Sequence, residues 1–576
     1  MTDEHPTSLG SFRFSVERKL AETLSQFSPF ERILFGLLSL ILVISSFLIL
    51  EKVSAAFSEV VPATGGSYAE GIIGSPRFIN PLLAISDADR DIGALIYSGL
   101  MRPGEKEGLV TDLAESYTIS EDGKTYSFIL RSDAVFHDGK PVTVEDVIYT
   151  VERAQDPGLK SPMRASWEGI AVERGEQQRE VIFTLTQPFA PFLENLTIGI
   201  LPKHIWKSSD NEEFPFSKFN TEPIGSGPYE VSSIQRDETG VPTSYTLTSV
   251  NDHYLKPNIR TITLKFYSGE DALITALNRG EIDAVSGIRP TSLFSITRKD
   301  LSIITTPLPR VFGLFFNQNK NSVFADKALR EALEVAVDKE RLITDALLGY
   351  GTIIDSPFPP TVVASTYNRS ESATDDALAL LASRGWTKNP DTGVLEKGTK
   401  EKAPLSISIA TANVPELKTA AESVAEDWRA LGIDVQIKIF EPSDLTLNVI
   451  RPRDYEVLLF GEVVGRGLDL FAFWHSSQRN DPGLNIAGYA SITADALLEK
   501  ARKTSDVRER NELFTSFREE VAKEKPAIFL YSPNFLYVLK DDISGITISN
   551  IETGSDRFDF AHEWFIETER VWSFLL

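Results

Sequence analysis

Cysteine is absent from this 576-residue sequence, and histidine is scarce, with six residues. The absence of cysteine excludes disulfide bonds, thiolate metal sites, cysteine nucleophiles and attachment of a lipid to an N-terminal cysteine. The six histidines are scattered and suggest no ligand set. We therefore expect a fold stabilised by packing alone, with no metal and no other cofactor.

Positive charge is also in deficit, because 58 Lys and Arg residues stand against 82 Asp and Glu residues and give a formal net charge of −24. Proteins that bind nucleic acid neutralise phosphates with clustered basic side chains. No basic run of that kind is present in the sequence. The composition therefore argues against a nucleic-acid partner.

Catalytic motifs are missing too. No G-x-S-x-G nucleophile motif occurs in the sequence. His562 and Glu563 begin a string that resembles a zinc-protease motif, but Ile566 stands where the second histidine is needed. The 82 acidic residues are too many for any one carboxylate pair to be singled out as catalytic. We predict that the chain is not an enzyme.

One long apolar run is present near the N-terminus. Residues 33–50 carry no charge, and they are flanked by Arg32 on one side and by Glu51 and Lys52 on the other. At a rise of 1.5 Å per residue, a helix of this run approaches the roughly 30 Å thickness of the bilayer hydrocarbon. We predict a transmembrane anchor at residues 33–52, preceded by a cytoplasmic leader at residues 1–32.

The charges around the run predict its orientation. Four basic residues precede it, namely Arg13, Arg18, Lys19 and Arg32. Only Lys52 follows closely, so the positive-inside rule predicts a cytoplasmic N-terminus and an extracytoplasmic module in a single-pass membrane protein. A signal peptide cleaved near Ala56 is the alternative, but the leader and the apolar run are both longer than such peptides usually have.

The segment after the run is predicted to be a flexible stalk. Residues 53–66 end in the string PATGG, whose proline and glycines are typical of linkers. We expect the ordered module to start near Ser67.

The remaining sequence mixes strand and helix patterns, which predicts the α/β class. Apolar residues alternate at residues 126–131 and recur at helical spacing at residues 144–153. Further strands are predicted at residues 245–248, 261–267, 405–410, 435–440 and 457–460, and helices at residues 271–279, 326–337 and 418–431. Because single cores stop growing at roughly 250–300 residues, the length predicts two or three lobes.

A series of motifs in the module resembles a known family. Residues 136–147 read FHDGKPVTVEDV, and IGSGPY at 224–229, ALNRGEIDA at 276–284 and FWHSS at 473–477 follow in order. This series is similar to that of the extracellular solute-binding proteins of family 5, which include the oligopeptide, dipeptide and nickel receptors of ABC importers. The resemblance covers roughly residues 67–540.

The resemblance implies a type II periplasmic-binding-protein fold of three lobes, with the ligand enclosed as the lobes hinge shut. The implied lobe I is discontinuous and comprises residues 67–92, 220–306 and 525–576. Lobe II then spans residues 93–219, and lobe III spans residues 307–524. The implied partners are an oligopeptide, an ABC permease with its ATPase, and the lipid bilayer around residues 33–50. We expect a monomer.

Peptide-binding members of the family hold the ligand backbone by strand-like pairing. The matching segment here is residues 461–474, in which Gly461 and Val463 flank Glu462. Glu462 replaces the family's tryptophan, and Gly465 or Arg466 stands where the family has the aspartate that binds the ligand's amino group.

Other carboxylates are therefore candidates for that amino group. Either Glu462 or Asp87, which falls in the early loop that lines the family's cleft, serves in place of the missing aspartate, or the protein has no such anchor. Asp469, Trp474 and Asn317 complete the predicted ligand-binding set. Because most carboxylates on an acidic surface are simply solvated, and Trp474 suits a core equally well, these residues are hypotheses.

Three alternatives to a peptide-binding importer receptor stay open. The same fold could bind a nickel chelate or an oligosaccharide, or it could serve as a tethered receptor without a transporter. An extracellular hydrolase on a borrowed fold is the third reading, although none of its required motifs is present.

Overall fold

The structure is a computed structural model that describes residues 27–105, 108–398, 403–504, 506–548 and 551–572. Residues 64–566 form one compact unit, and the flanking segments form another. Most of the predicted leader, including Arg13, Arg18 and Lys19, lies outside the described residues.

The strands are numbered in chain order. In the described chain they are β1 (Ser58–Pro62), β2 (Gly65–Ile73), β3 (Met101–Pro103), β4 (Leu109–Thr111), β5 (Ala114–Ile119), β6 (Thr125–Leu130), β7 (Ile170–Arg174), β8 (Glu180–Leu185), β9 (Tyr229–Arg236), β10 (Pro242–Ser249), β11 (Ile259–Tyr267), β12 (Ala284–Ser286), β13 (Leu301–Pro307), β14 (Arg310–Phe316), β15 (Gly351–Ile353), β16 (Thr387–Lys388), β17 (Leu395–Lys397), β18 (Ala403–Pro404), β19 (Ser406–Ala412), β20 (Asp434–Phe440), β21 (Val457–Val463), β22 (Ala527–Lys540) and β23 (Thr568–Trp572).

The helices of nine or more residues are α1 (Pro29–Phe57), α2 (Asp87–Ile96), α3 (Val144–Gln155), α4 (Glu270–Asn278), α5 (Lys327–Ala336), α6 (Lys339–Leu347), α7 (Ala373–Ser383), α8 (Pro415–Leu431), α9 (Ile492–Lys503) and α10 (Val507–Glu524). Shorter helices occur at Arg164–Trp167, Phe192–Asn195, Lys203–Trp206, Pro442–Asp444 and Phe471–Trp474. The predicted strands and helices are confirmed, with bounds that differ by a few residues.

Helix α1 contains the predicted apolar run. It begins in a capping box, in which the Glu31 amide donates to the Ser28 hydroxyl at 3.3 Å and the Ser28 amide donates to the Glu31 carboxylate at 2.8 Å. Its span Pro29–Val53 is long and apolar enough to cross a membrane, a property that it shares with signal sequences. The predicted apolar helix is therefore present.

The stalk differs from its prediction. Helix α1 continues to Phe57, and β1 then pairs antiparallel with β23, with Ser58 opposite Trp572. Residues 53–66 thus contain a helix end and one strand of a two-stranded ribbon, where the composition predicted a linker without regular structure. The composition of the stalk could not reveal this, because the strand that pairs with it lies at the other end of the chain.

Twelve strands of the large unit form one mixed sheet. Its order is β20-β19-β21-β14-β22-β12-β2-β11-β10-β9, with β13 and β15 also paired to β22. A four-stranded sheet, β5-β6-β8-β7, stands apart, and its β5–β6 turn contains Gly123 at a φ of 67°. This is the turn for which the Asp122-Gly123 pair is suited, because glycine adopts positive φ without strain.

The large sheet has two halves, β20-β19-β21-β14 on one side and β12-β2-β11-β10-β9 on the other, and two chain segments connect them. The first half of β22 pairs with β14, whereas its second half pairs with β13 and β12. One hydrophobic core lies among residues 311–531, and another lies among residues 68–308 and 535–564. The cores therefore separate at two places, the β13–β14 junction and the middle of β22.

At these two places, which we call the crossings, the chain passes from one half of the sheet to the other. The two crossings are hydrogen-bonded to each other. The Leu308 amide donates to the Pro533 carbonyl at 2.9 Å, and the Ser532 hydroxyl donates to the Leu308 carbonyl. Pro533 has no amide hydrogen to donate to a neighbouring strand. It lies where the long strand β22 changes its pairing partner. The lobe boundaries remain predictions, but β22 contributes to both halves of the sheet and not to lobe I alone.

Candidate functional site

The site begins with the antiparallel pair β14 and β21. Arg310 lies opposite Val463, and Phe312 lies opposite Gly461. Because side chains alternate along a strand and directly opposed residues share a face, these four residues lie on one face of the sheet. Glu462 points to the other face.

The end of β21 has an open edge, which we define as residues 460–463. Strand β19 pairs with β21 only at Val457 and Leu458, so that within the described chain β14 alone pairs with residues 460–463. The Val464 amide donates to the Pro309 carbonyl at 2.8 Å, on the β14 side. Backbone direction alternates with each residue, so Gly461 and Val463 direct their amide and carbonyl groups away from β14. Another extended chain can pair with this edge.

Gly461 makes room for an aromatic ring beside the open edge. A Cβ atom at this position would lie 2.6 Å from the Phe312 ring. That ring stacks on Tyr531, with centroids 5.0 Å apart and planes 6° from parallel. Glycine is thus required here by a close approach of a side chain.

A cavity of about 480 Å³ lies next to the open edge, and we call it the cleft. Its walls are the first turn of α2, the two crossings between the sheet halves, the end of β21 and residues 552–554. Four charged residues line it, namely Asp87, Arg90, Arg310 and Glu552. A cleft with charges of both signs beside a strand edge suits a ligand that carries a backbone and charged groups.

The charges of the cleft have different environments. Asp87 and Arg90 form an ion pair at 3.3 Å near the surface. Burial raises the pKa of Glu552, and the nearby carboxylate of Asp556 raises it further. Burial lowers the pKa of Arg310, while the charge of Asp87 acts in the opposite direction.

Arg466 is one of the two residues, with Gly465, that stand where the family has its amino-binding aspartate. Its guanidinium pairs with Asp559 at 2.7 Å and with Asp556 at 2.8 Å. Burial raises the pKa of Asp559 to about 7, against the opposing charge of Arg466. The position is therefore cationic, and its charge is compensated by carboxylates of the C-terminal segment.

The structure brings two of the predicted site residues together in the cleft. Asp87 and Val463 both line it, and Gly461 lies on the same face of the sheet as Val463. Whether they contact a ligand stays a prediction.

Glu462 and Trp474 lie elsewhere, in the hydrophobic interior. The side chain of Glu462 is buried, and its carboxylate forms no hydrogen bond of normal geometry within the described chain, although the indole of Trp474 is near enough to oppose the rise in its pKa. Burial raises the pKa of this carboxyl well above its usual range. The structure thus differs from the expectation that Glu462 holds a ligand's amino group, because strand alternation turns it away from the cleft. Trp474 is fully buried against Phe315 and Phe529.

Asn317 and Asp469 have local structural contacts. Asn317 follows β14, where its side-chain amide donates to the Arg453 carbonyl at 2.8 Å, and it lines a separate cavity of about 500 Å³. Asp469 pairs with Arg502 at 3.1 Å and accepts a hydrogen bond from the Phe471 amide at 3.2 Å. Neither residue lines the cleft.

Sequence reasoning missed Arg310 and Glu552. A signal for Arg310 was available, because it is the one charged residue in the apolar strand RVFGLFF and it follows Pro309 at a predicted lobe boundary. Glu552 carried no comparable signal, since it comes from a part of the chain to which no ligand role was assigned.

Comparisons with known proteins agree with this architecture. A family model for "Bacterial extracellular solute-binding proteins, family 5 Middle" matches residues 108–482. The oligopeptide-binding protein AppA of Bacillus subtilis is 28% identical over 85% of this chain and 91% of its own length. The nickel-binding periplasmic protein of Escherichia coli is 26% identical over 80% and 88%, respectively.

Solved structures give the same result. The structure of AppA from Bacillus subtilis in complex with a nonapeptide matches with a TM-score of 0.64 and 26% identity, covering 88% of this chain and all of that one. NikZ from Campylobacter jejuni in complex with Ni(L-His) matches with a TM-score of 0.65 and 27% identity, covering 87% and 99%. The similarity thus extends over both halves of the large sheet.

Proposed function

Because the chain belongs to the bacterial extracellular solute-binding proteins of family 5, we propose that it captures oligopeptides between hinged lobes and delivers them to an ABC permease. Its fold is of the type II periplasmic-binding-protein class. In this proposal the chain acts as a transport receptor that releases its ligand unchanged.

The open edge of β21 carries the peptide assignment. Gly461 and Val463 offer backbone groups beside a cavity of about 480 Å³. Every peptide presents the same amide and carbonyl groups to such an edge, so strand addition binds peptides with little dependence on their side chains. The crystal structure of the similar AppA contains a nonapeptide, which supports a ligand of this class.

The apolar helix α1 supports tethering to the membrane. With residues Pro29–Val53 in the bilayer, the binding lobes would stay within a few nanometres of a membrane partner, which raises their effective concentration for a permease. The surplus of basic residues before the helix favours a cytoplasmic N-terminus.

Tethering is tested by locating the mature N-terminus. Membranes from cells that express the full chain are washed with high salt and carbonate, and the retained protein is analysed by mass spectrometry. An intact chain in the washed membranes is the expected result. A soluble product that begins after Ala56 would contradict the anchor.

Peptide capture is tested by ligand-dependent melting. A ligand that binds only the folded protein raises its melting temperature by mass action. We expect randomised pentapeptides to raise it, with a nickel–histidine chelate and an oligosaccharide mixture as comparison ligands. A shift with the chelate or the oligosaccharides, and none with peptides, would contradict the assignment.

Two further measurements separate the remaining alternatives. Crosslinking in native membranes is expected to recover a permease and its ATPase, whereas recovery of other membrane proteins alone would favour a receptor without a transporter. Captured peptides are expected to be recovered at unchanged mass, and their cleavage would favour a hydrolase.

A further inference from the structure

Arg310 is a partly buried cation that forms no ion pair with the described residues. It opens β14, and its Nε group makes no hydrogen bond to any described part of the chain. No ion pair of its guanidinium with a described carboxylate is formed either, although the charge of Asp87 is near enough to act on it. Its side chain faces the cleft together with that of Val463.

The carboxylates around the cleft are engaged with other cations. Asp87 pairs with Arg90 at 3.3 Å. Glu552 accepts a long backbone hydrogen bond of 3.5 Å from Arg466 and lies in the field of that residue's guanidinium. Arg310 therefore lies in the field of Asp87, which is shared with Arg90, but no described carboxylate is in ion-pair contact with its guanidinium.

A partly buried cation without an ion-pair contact stabilises the folded protein less than a paired one. Removal of a cation from water costs free energy that a pairing anion normally offsets. A binding protein can retain such a charge when the anion arrives with the ligand. An arginine is well suited to this, because its planar guanidinium binds a carboxylate through two parallel hydrogen bonds.

We infer that Arg310 binds a carboxylate of the captured ligand. This inference rests on the proposed peptide-binding function and adds a specific contact to it. Arg310 lies across the ladder from Val463, the last residue of the open edge, so a peptide paired with the edge would bring its end to this guanidinium. The C-terminal carboxylate and an acidic side chain share the required chemistry.

The test measures binding to the full chain in nanodiscs. The probes are a randomised pentapeptide library without Asp or Glu and with free C-termini, the same library as C-terminal amides, and an amide library with one Glu per peptide. Retained peptides are identified by mass spectrometry, and the affinity of the best-retained peptide of each library is measured by calorimetry. The variants are Arg310→Gln and Arg310→Lys, with Arg279→Gln as the control because Arg279 is exposed and pairs with Glu281 at 3.6 Å.

The loss of a charge-assisted hydrogen bond predicts that Arg310→Gln weakens binding of free-acid peptides about ten- to a hundredfold and leaves amide peptides unaffected. Arg310→Lys should recover part of the loss, and Arg279→Gln should change nothing. A selective loss for the Glu-containing amides instead would identify a side-chain carboxylate as the partner of Arg310.

Two results would overturn the inference in distinguishable ways. Equal effects of Arg310→Gln on acids and amides, with peptide binding intact in the natural sequence, would remove the role of Arg310 alone. Failure of the natural sequence to bind any of the libraries would overturn the proposed function and the inference with it. A melting temperature of Arg310→Gln at or above that of the natural sequence shows that the variant is folded.

Discussion

Arg557 is fully buried and Arg310 is partly buried, and the surroundings of their charges are opposite. Arg557 is 1% exposed and binds Asp91 through two hydrogen bonds of 2.9 and 2.8 Å and Glu70 through one of 2.8 Å. Although burial lowers the pKa of Arg557, the charges of Asp91 and Glu70 raise it well above its usual range. Burial lowers the pKa of Arg310 against the charge of Asp87, and no described carboxylate is in ion-pair contact with its guanidinium.

The difference separates a structural charge from a charge held for a ligand. Arg557 joins the C-terminal segment to β2 and α2, so its charge is used entirely inside the protein. Arg310 lies on the wall of the cleft between the two sheet halves. Burial alone does not show which charges serve binding, and the presence or absence of an internal partner is the informative property.

The largest effect is expected for Arg557→Met. Removal of the guanidinium leaves the buried carboxylates of Glu70 and Asp91 without a cation. This should lower the free energy of unfolding by about 3–5 kcal/mol. Thermal and urea unfolding should show this loss, while Arg279→Met at the surface should stay within about 0.5 kcal/mol. Similar stabilities of the two variants would contradict the structural role of Arg557.

A smaller effect is expected for Gly461→Ala. The added methyl group would lie 2.6 Å from the Phe312 ring and force it to shift from its stacked position on Tyr531. Overpacking of this kind costs about 1–3 kcal/mol, and the displaced ring should also weaken peptide binding at the open edge.

The double variant Gly461→Ala/Phe312→Ala provides the control for this prediction. If the clash is the cause, Gly461→Ala should cost less stability and less peptide affinity in the Phe312→Ala background than in the natural sequence, which a double-mutant cycle over both single variants and the double variant measures. Equal costs of Gly461→Ala in the two backgrounds would place the cause elsewhere.

The architecture was predictable from the sequence, whereas the direction of single side chains was not. Mixed periodicities and the motif series predicted the α/β class and the elements that the structure contains. The strand VLLF at residues 457–460 is buried on both faces, so it shows no polar alternation from which the face of Glu462 could be read. The ribbon of β1 and β23 was missed because its strands are separated by the whole large unit.

An intermediate effect with a distinct pH dependence is expected for Glu462→Gln. Burial raises the pKa of Glu462 in the folded protein above the value of 4.5 that it has when exposed. Between these two pKa values the unfolded chain has released the proton and the folded protein has kept it. Stability contributed by the neutral acid is therefore complete below pH 4.5 and falls as pH rises towards the folded pKa.

Glutamine cannot ionise, so the variant should gain stability relative to the natural sequence as pH rises above 4.5, by about 1.4 kcal/mol per pH unit. Melting temperatures of both proteins measured from pH 4 to pH 8 give this difference. A constant difference across that range would show that Glu462 is ionised in the folded protein and faces solvent or a cation.

The smallest effect on stability is expected for Asp87→Asn. Its ion pair with Arg90 is solvent-exposed, and such pairs contribute about 0–1 kcal/mol. If Asp87 binds the amino group of the ligand, the variant should weaken binding of peptides with free N-termini and leave N-acetylated peptides unaffected. Together with the acid and amide libraries for Arg310, this pair of probes tests whether the two charges of the cleft bind the two ends of one peptide. An equal loss for free and acetylated peptides would show that Asp87 acts on the ligand only through Arg90 or through the shape of the cleft.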